Sequence, residues 1–400
     1  MASFLELSID RAVAGGRMLA RHDGQVVLVR GAIPGERVRA RIERRQKQVL
    51  FAEVTDVLSA SPDRRTPACD LACGGSSYAH IRYDRQRALK AEVIGDAFRR
   101  IAKQALQPPE VLASPEHGYR MRARLHAAGG KIGFYREGTH TICDASATGQ
   151  LRPDTLAAVA AFCAEHPDML KGADGVSVSE NVPATQRVFH VETADAGELA
   201  TGQDVSFIED SAETIWPAGA PVPAGTRWRR RASSFFQGNR FLLGALIEDV
   251  LACADGAETV VDLYAGGGLF SVALASLGAR VTAVESDASS GADLLDNAEP
   301  YGDLITPMPI PVEAAVRRKL AAKPDVVILD PPRVGASEEA IKGMVGWRAP
   351  KLIYVSCDPP TLARDAAKII AAGYAVESMA AFDLFPNTPH VEVIATFVRT

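Results

Sequence analysis

The fold class is decided by the run Thr259-Val260-Val261-Asp262-Leu263-Tyr264-Ala265-Gly266-Gly267-Gly268-Leu269-Phe270-Ser271-Val272-Ala273-Leu274-Ala275. An apolar strand leads into a glycine-rich turn, and the small and apolar residues after the turn are typical of a helix. A second strand, residues 280–284, follows and ends in Glu285. This order is typical of an open α/β sheet, which binds ligands at the carboxyl ends of its strands. We therefore expect a doubly wound, Rossmann-like α/β domain with Gly266 and Gly268 beside a ligand.

Two carboxylates end strands of this predicted sheet. Glu285 suits two ribose hydroxyls, and Asp330 begins Asp330-Pro331-Pro332-Arg333, where two prolines stiffen the loop. No third glycine completes the spacing of a dinucleotide fingerprint, so the glycine turn favours S-adenosylmethionine. Many methyltransferases that modify exocyclic amines carry Asp-Pro-Pro-Tyr at this point. Because Arg333 offers no aromatic face for a base, amine methylation is disfavoured.

A cysteine ends a further strand, in the run Tyr354-Val355-Ser356-Cys357-Asp358-Pro359-Pro360. The prolines stop the strand, so we expect Cys357 at the lip of the sheet. A thiol at that position can act as a nucleophile if its surroundings favour the thiolate. The alternative is a small buried hydrophobic residue, the usual state of a lone cysteine.

The composition is that of an ordinary globular protein, with 47% hydrophobic and 23% charged residues. A length of 400 residues indicates two or three domains. No long apolar run and no basic segment before an apolar one is present, so we expect neither a membrane span nor a secretory signal. Six dispersed cysteines fit a reducing compartment and a cytoplasmic protein. The net charge of −5 excludes a wholly basic surface but allows local basic patches.

The first 60 residues alternate short strand-like runs with glycine turns, which predicts a small β-barrel. A stripe of cations follows one of these strands, and it could track a phosphate backbone. An ordinary solvated strand face explains the same charges. The stripe consists of Arg37, Arg39, Arg41, Arg44, Arg45 and Lys47.

A pair of cysteines follows the polar linker 61–67, in Cys69-Asp70-Leu71-Ala72-Cys73-Gly74-Gly75-Ser76. Two cysteines beside a glycine pair suggest metal or iron–sulfur ligation, with Cys143 as a distant third ligand. A [4Fe–4S] cluster needs four thiolates, and Ser76 stands where another is expected. The hypothesis of a cluster on Cys69, Cys73 and Cys143 is therefore weakened by its ligand count.

The middle of the chain carries two basic clusters. Residues 119–126 alternate basic and other side chains as a strand with one cationic face would, and residues 131–136 predict the next strand through a Gly129-Gly130 turn. Residues 226–231 place Trp228 among arginines. Aromatic faces beside arginines suit unstacked bases, although an arginine-rich surface loop explains either cluster alone.

Four motifs together resemble the RNA uridine-5 methyltransferase family: the glycine turn 262–268, the Asp-Pro-Pro-Arg run 330–333, the run Ser356-Cys357-Asp358-Pro359-Pro360-Thr361-Leu362-Ala363-Arg364-Asp365, and His390-Val391-Glu392. The first 60 residues resemble the TRAM domain, an oligonucleotide-binding-type barrel of RNA-modifying enzymes. This N-terminus fits the ribosomal branch of the family. The resemblance therefore implies an RNA partner, with ribosomal RNA favoured over transfer RNA.

The resemblance also implies site residues. Cys357 would be the nucleophile and Glu392 the proton acceptor, because a thiolate added to carbon 6 of uracil makes carbon 5 reactive and the carbon 5 proton must then be removed. An ordinary exposed strand-end carboxylate is the alternative for Glu392. Arg333 or Arg364 could stabilise the enolate oxygen or a phosphate, and a structural ion pair with a local carboxylate is the alternative for either. The residues expected at S-adenosylmethionine are Gln237, Tyr264, Gly266, Gly268, Glu285 and Asp330.

We therefore predict a three-part protein: a TRAM-like barrel at 1–60, a mixed α+β RNA-binding domain at 61–235, and a methyltransferase domain at 236–400. We expect it to act as a monomer in the cytoplasm. Two alternatives stay open. One is a methyltransferase of the same fold that acts on transfer RNA or on cytidine, and the other is a non-catalytic RNA-binding or assembly factor.

Overall fold

The computed structural model describes residues 3–128, 131–168, 170–193, 207–318 and 323–400. The Gly129-Gly130 turn lies outside the described residues. The strands are β1 Phe4–Ala12, β2 Met18–His22, β3 Gln25–Arg30, β4 Arg37–Gln46, β5 Val49–Ser59, β6 Val111–Leu112, β7 Arg122–Ala128, β8 Lys131–Tyr135, β9 Ile142–Asp144, β10 Ala173–Glu180, β11 Arg187–Thr193, β12 Phe207–Ser211, β13 Arg227–Arg231, β14 Thr259–Leu263, β15 Arg280–Val284, β16 Ile305–Met308, β17 Val326–Leu329, β18 Lys351–Ser356, β19 Tyr374–Phe382 and β20 Glu392–Arg399. The α-helices are α1 Tyr83–Ala97, α2 Pro153–Glu165, α3 Ala212–Ile215, α4 Leu243–Cys253, α5 Leu269–Ser276, α6 Ala288–Ala298, α7 Val312–Val316, α8 Glu338–Gly346 and α9 Pro359–Ala371.

The N-terminal strands close into a barrel in the order β1-β2-β3-β5-β4. In β4, Val38 and Ala40 are buried while Arg37, Arg39 and Arg41 point to solvent. This period of two buries one face of each strand, because successive side chains point to opposite sides. The predicted barrel is confirmed.

The middle of the chain forms a five-stranded sheet in the order β11-β10-β7-β8-β9, with antiparallel pairs throughout. Its inner face carries Leu125, Phe134 and Val178, which pack with Val159 of α2. A separate two-stranded ribbon, β12 with β13, leads toward the C-terminal part.

The C-terminal sheet has eight strands in the order β16-β15-β14-β17-β18-β20-β19-β6. Neighbours from β16 to β18 run parallel, and β20 is antiparallel to β18. Separate hydrophobic clusters cover its two faces, one containing α4 and α5 and the other containing α8 and α9. Helices on both faces of a mostly parallel sheet confirm the predicted doubly wound α/β fold.

Two elements from the proposed central domain pack against this sheet. Strand β6 pairs in parallel with β19, and α1 packs against α9. The helix expected near residues 83–101 is α1, followed by a π-helical turn over Phe98–Ala102 that ends at Lys103 in the left-handed region. The division at residues 60 and 235 stays a proposal.

Among the described residues, no helix combines the length and the apolar character that crossing a bilayer requires.

Candidate active site

Strand pairing brings Cys357 and Glu392 together. In the antiparallel pair of β18 and β20, Ser356 lies opposite Val393. Cys357 follows this last pair at a bend after β18, Glu392 precedes Val393 in β20, and the Glu392 carboxyl lies close enough to raise the pKa of the Cys357 thiol. The cysteine also lies at the carboxyl end of a parallel strand, as its prolines predicted. The pairing of β18 with β20 therefore brings together two residues that are 35 positions apart in the sequence.

The thiol of Cys357 lies in surroundings that keep its proton. The pKa of Cys357 is raised to about 11, mainly by burial and in part by the nearby carboxyls of Glu392 and Asp330. The Arg333 guanidinium opposes this increase through its charge and a hydrogen bond to the thiol. Arg333 is therefore the chain's own group that favours the thiolate.

Glu392 is fully buried rather than an exposed strand-end carboxylate. Burial raises the pKa of Glu392 well above its ordinary value, the neighbouring Asp330 adds to the increase, and Arg333 opposes it. A carboxyl with a raised pKa is suited to accept a proton near neutral pH. The geometry therefore supports the expectation of a general base at this position.

Asp330 follows β17, and the register with β14 puts it level with the glycine turn. Its Oδ2 accepts a hydrogen bond of 3.4 Å from Gln237 Nε2, so two of the expected cofactor residues lie together. Burial raises the pKa of Asp330 to about 7, and Asp262 adds to the increase. Among the described residues, no cation lies within ion-pair distance of Asp330.

Several residues of the glycine turn have a positive φ, a conformation that glycine adopts more easily than other residues. Gly266 and Gly268 have φ of 56° and 88°, in the left-handed region, and Tyr264 shares that region with φ 61°. The Gly266 amide donates a 2.9 Å hydrogen bond to Glu285 Oε2. A Cβ on Gly266 would meet no atom within 4 Å, so the turn presents open backbone next to Glu285.

Tyr264 follows β14 directly, at the start of the glycine turn. Its half-buried ring packs with the cluster on the α9 side of the sheet and lines a surface groove with Pro332, Val334 and Arg364. The backbone of Tyr264 still belongs to the turn, because β14 ends at Leu263.

Asp262 is a site residue that sequence reasoning did not select. It is fully buried in β14, and its Oδ2 accepts a 2.6 Å hydrogen bond from Ser271 while its Oδ1 has no partner among the described residues. Burial raises the pKa of Asp262 to about 7. The signal was present in the sequence as an acidic residue inside an otherwise apolar strand.

These residues fit S-adenosylmethionine. The open backbone at Gly266 and the Glu285 carboxylate form a cradle for a ribose at the end of β14 and β15. Asp262 is buried and Asp330 half-buried, neither has a cationic partner among the described residues, and such carboxyls suit the positive charge that this cofactor carries. Gln237 would orient Asp330.

Two further arginines differ in their partners. Arg364 forms an ion pair of 2.8 Å with Asp365 and donates to the Val334 carbonyl, so it has the structural role that was one of its two alternatives. Arg120 was not selected from its basic run. It donates a 2.6 Å hydrogen bond to Gln150 Oε1, its positive charge is felt by His390 and its own pKa is lowered by burial and by Arg333. Only the fold shows which arginine of that run approaches the crevice.

The cysteine segment does not fit an iron–sulfur cluster. Cys73 and Cys143 are joined by a disulfide, so their sulfurs are not free thiolates. The Ser76 hydroxyl donates to the carbonyls of Asp70 and Cys73, and Cys69 is a free, half-buried cysteine. No group of three or more metal-ligating side chains occurs among the residues that the structure describes. Cys73 and Cys143 therefore form a disulfide, whereas Cys69 is a separate free thiol.

Known proteins resemble this chain over nearly its whole length. A family model described as tRNA (Uracil-5-)-methyltransferase matches residues 321–399, and one described as TRAM domain matches residues 4–55. The chain is 33% identical to the 23S rRNA (uracil(1939)-C(5))-methyltransferase RlmD of Halomonas elongata, over 97% of this chain and 88% of that protein. It is 30% identical to an uncharacterised RNA methyltransferase of Bdellovibrio bacteriovorus, over 99% of this chain and 95% of that protein.

A solved structure shares the fold. The tRNA (uracil-54, C5)-methyltransferase of Pyrococcus abyssi, in complex with S-adenosyl-L-homocysteine, aligns with a TM-score of 0.70 at 23% identity, over 98% of this chain and 99% of that chain. At this identity the likeness shows the architecture. Together with the near-full-length sequence matches, it leads to one conclusion: the chain belongs to the S-adenosylmethionine-dependent RNA uracil-5 methyltransferase family and carries that family's TRAM domain in its N-terminal part.

Proposed function

We propose that this protein methylates carbon 5 of a uridine in 23S ribosomal RNA through a covalent bond between Cys357 and carbon 6 of the base. The pairing of Ser356 with Val393, which brings Cys357 and Glu392 close to each other and to Asp330, carries this proposal. The ribosomal substrate is supported by relatives of 33% and 32% identity, from Halomonas elongata and Pseudomonas putida, whose names state this activity.

The first step uses the thiol of Cys357. Carbon 5 of uracil is a poor nucleophile, and adding the thiolate to carbon 6 converts the ring into an enolate whose carbon 5 carries the electron pair. The thiol first loses its proton to solvent, and burial, which raises the pKa of Cys357, opposes this loss. The positive charge of Arg333 next to the sulfur favours that deprotonation.

The second step removes a proton. Bound S-adenosylmethionine would supply the electrophilic methyl group to carbon 5 and leave as S-adenosylhomocysteine, because the methyl–sulfur bond breaks as the new bond forms. Glu392 then accepts the proton from carbon 5, the electron pair of that C–H bond re-forms the ring double bond, and the sulfur leaves carbon 6 as the thiolate. A fully buried base protects this step from water, which fits the position of Glu392 beneath the lip of the sheet.

The barrel offers a contact for the RNA backbone at the turn between β4 and β5. Arg44, Arg45 and Lys47 are exposed there, and no carboxylate lies within ion-pair distance of them among the described residues. Arg44 lies over the Phe51 ring at 3.9 Å. We assign this basic tip, Arg44, Arg45 and Lys47, to phosphate binding.

A transfer RNA uridine is the second candidate substrate, because the family model that matches residues 321–399 is described by that activity. The test incubates the purified protein with S-adenosylmethionine and unmodified transcripts of 23S ribosomal RNA and of transfer RNA. Mass spectrometry of the digested RNA then locates any 5-methyluridine. Methylation of the ribosomal transcript alone supports the proposal, methylation of transfer RNA alone replaces its substrate, and 5-methylcytidine or no product overturns it.

A further inference from the structure

The loop 383–391 connects β19 to β20 and leads directly into Glu392, the first residue of β20. It lies close to both halves of the active site. Asn239 Nδ2 donates a 3.0 Å hydrogen bond to the Leu384 carbonyl, and Phe385 packs beside Gly238, next to Gln237. Any displacement of this loop therefore moves the proposed base relative to the cofactor residues.

A buried ion pair fixes the start of the loop. Lys90 of α1 and Asp383 are 1% and 0% exposed, and Lys90 Nζ lies 2.5 Å from Asp383 Oδ1. The same ammonium donates a 3.2 Å hydrogen bond to the Phe385 carbonyl. Removing two charges from water costs about as much as their attraction returns, so a buried pair is weak evidence for stability. Its geometry instead determines where the loop begins.

A second contact fixes the middle of the loop through Asn387. This residue has φ 64°, in the left-handed region that few side chains adopt easily. Buried Gln86 of α1 makes two hydrogen bonds of 2.9 Å with it: its Nε2 donates to Asn387 Oδ1, and its Oε1 accepts from the Asn387 amide. Arg65 also donates to Asn387 Oδ1, at 2.8 Å, and the Tyr78 amide donates to the Asn387 carbonyl.

The barrel contacts the end of the loop. A Cβ on Gly16, in the turn between β1 and β2, would lie 2.8 Å from Cγ of Pro389, so the barrel backbone approaches the residue before His390 closely. The side-chain contacts described at Asp383 and Asn387 and the close approach at Pro389 come from residues 16–90, while the Asp383 amide donates a 3.0 Å hydrogen bond to the Leu112 carbonyl. The loop before the proposed base is thus fixed by the N-terminal part of the chain.

We propose that Gln86 and Lys90 of α1 are positioning residues that hold loop 383–391, and through it Glu392, in the geometry needed for removing the carbon 5 proton. The inference rests on the proposed function, since it concerns the step assigned to Glu392. Until that proton leaves, the methylated uracil stays bonded to the Cys357 sulfur. Misplacing the base therefore slows the last step and leaves protein and RNA covalently joined.

The test compares Gln86→Leu and Asn387→Gly with Glu92→Gln, a change on the exposed side of the same helix. Each protein receives methyl-labelled S-adenosylmethionine and the unmodified 23S ribosomal or transfer RNA transcript that the unaltered protein methylates. Denaturing electrophoresis measures labelled protein–RNA adduct, and kcat is measured in parallel. We expect Gln86→Leu and Asn387→Gly to lower kcat about 10- to 100-fold and to accumulate adduct, with the KM for S-adenosylmethionine unchanged. Glu92→Gln should match the unaltered protein.

A lower kcat without accumulated adduct, or an unchanged kcat, in folded variants would overturn the positioning role. If both variants fail to fold, as judged by thermal unfolding, the contacts act on stability and the proposal is wrong. Failure of the proposed function looks different: the unaltered protein then forms no adduct at all, or Cys357→Ala retains turnover.

Discussion

The barrel surface and the catalytic crevice treat charge in opposite ways. On β4, Arg39 and Arg41 are exposed and lie 3.1 and 3.0 Å from the carboxylates of Glu6 and Glu53. In the crevice, Glu392 is buried and Asp330 is half-buried, and within the described part of the chain no cation forms an ion pair with either. Exposed pairs of this kind contribute little to stability, at most about 1 kcal/mol. Buried carboxyls without partners are costly and are kept where chemistry needs them.

The cations of the barrel also fall into two groups, those with a carboxylate partner and those without one in the described residues. Residues Arg37, Arg39 and Arg41 are neutralised by neighbours, whereas the basic tip has no carboxylate within ion-pair distance in the described residues. A stripe of arginines in sequence is therefore only half available to a phosphate backbone. In both regions, the charges left without partners are the ones that we assign to function.

The largest expected effect comes from Cys357→Ala, because without the sulfur carbon 5 is never activated. We expect kcat to fall by at least about a thousandfold, since removing a nucleophile costs at least that much. Cys253→Ala is the matched control. The half-buried Cys253 sulfur accepts a hydrogen bond from the Thr396 hydroxyl on β20. The measurement is the rate of methyl transfer from S-adenosylmethionine to the RNA transcript, in Cys357→Ala and in Cys253→Ala. Equal loss in both variants would point to folding rather than chemistry.

The second effect concerns the cofactor. Asp330→Asn removes a half-buried negative charge that a bound cation would meet, and a charged hydrogen bond of this kind contributes about 1.5–3 kcal/mol. We expect the Kd for S-adenosylmethionine, measured by calorimetry, to rise about 10- to 100-fold. Asp249→Asn is the control, because burial also raises the pKa of Asp249 but this residue lies on α4 near Cys253. An unchanged Kd in Asp330→Asn would contradict the assigned role.

The third effect is a shift in pH dependence. Arg333 lowers the pKa of both Cys357 and Glu392. Arg333→Met should raise both values, so the pH–rate profile should move upward by about one unit and the rate at neutral pH should fall about tenfold. Rates from pH 6 to 10 measure this shift. A profile that keeps its position while losing height would show that Arg333 acts in another way.

The fourth effect concerns RNA affinity. Replacing the basic tip with alanines should weaken RNA binding and reduce the slope of log affinity against log salt by up to about 3, one for each lost phosphate contact. The double change Arg39→Ala and Arg41→Ala removes cations that are already paired, so its slope should change by less than about 1. Filter binding at several salt concentrations measures both. Equal slopes would remove the distinction between paired and unpaired arginines.

The smallest effect is on stability. The folded-state pKa of Glu392 lies above its unfolded value near 4.5, so its protonated form stabilises the fold at low pH and this contribution is lost as pH rises toward the folded pKa. Glu392→Gln never ionises, and it should abolish turnover while gaining stability relative to the unaltered protein between pH 5 and pH 8. The gain is about 1.4 kcal/mol for each unit of pKa that is passed. Thermal unfolding at both pH values checks it, and a constant difference would contradict a raised pKa.

Several elements were predicted correctly because their signals are local. The barrel follows from short alternating runs and glycine turns, and the α/β sheet follows from the run at Thr259–Leu263 with its glycines. Strand-ending prolines put Cys357 at the lip. Each of these features depends on contacts within about a dozen residues, which a sequence pattern can carry.

Other features were wrong or missed because they depend on distant contacts. The cysteine segment predicted cluster ligands, but the fold joins Cys73 to Cys143, seventy residues later. Half of the arginine stripe is neutralised by Glu6 and Glu53, which lie on neighbouring strands. Asp262 was passed over because an acidic residue inside an apolar strand looks like a sequence exception until its burial is known.

The sequence by itself determined the glycine turn and the residues that we propose as reactive groups, since these depend on residue type and short-range spacing. Tertiary structure alone decided that β20 runs antiparallel to β18, which brings Glu392 close to Cys357, and that α1 contacts the loop before it. Strand register and burial depend on how distant segments pack together. The same burial shifts the pKa values of the carboxyls and the thiol, and no local pattern contains that information.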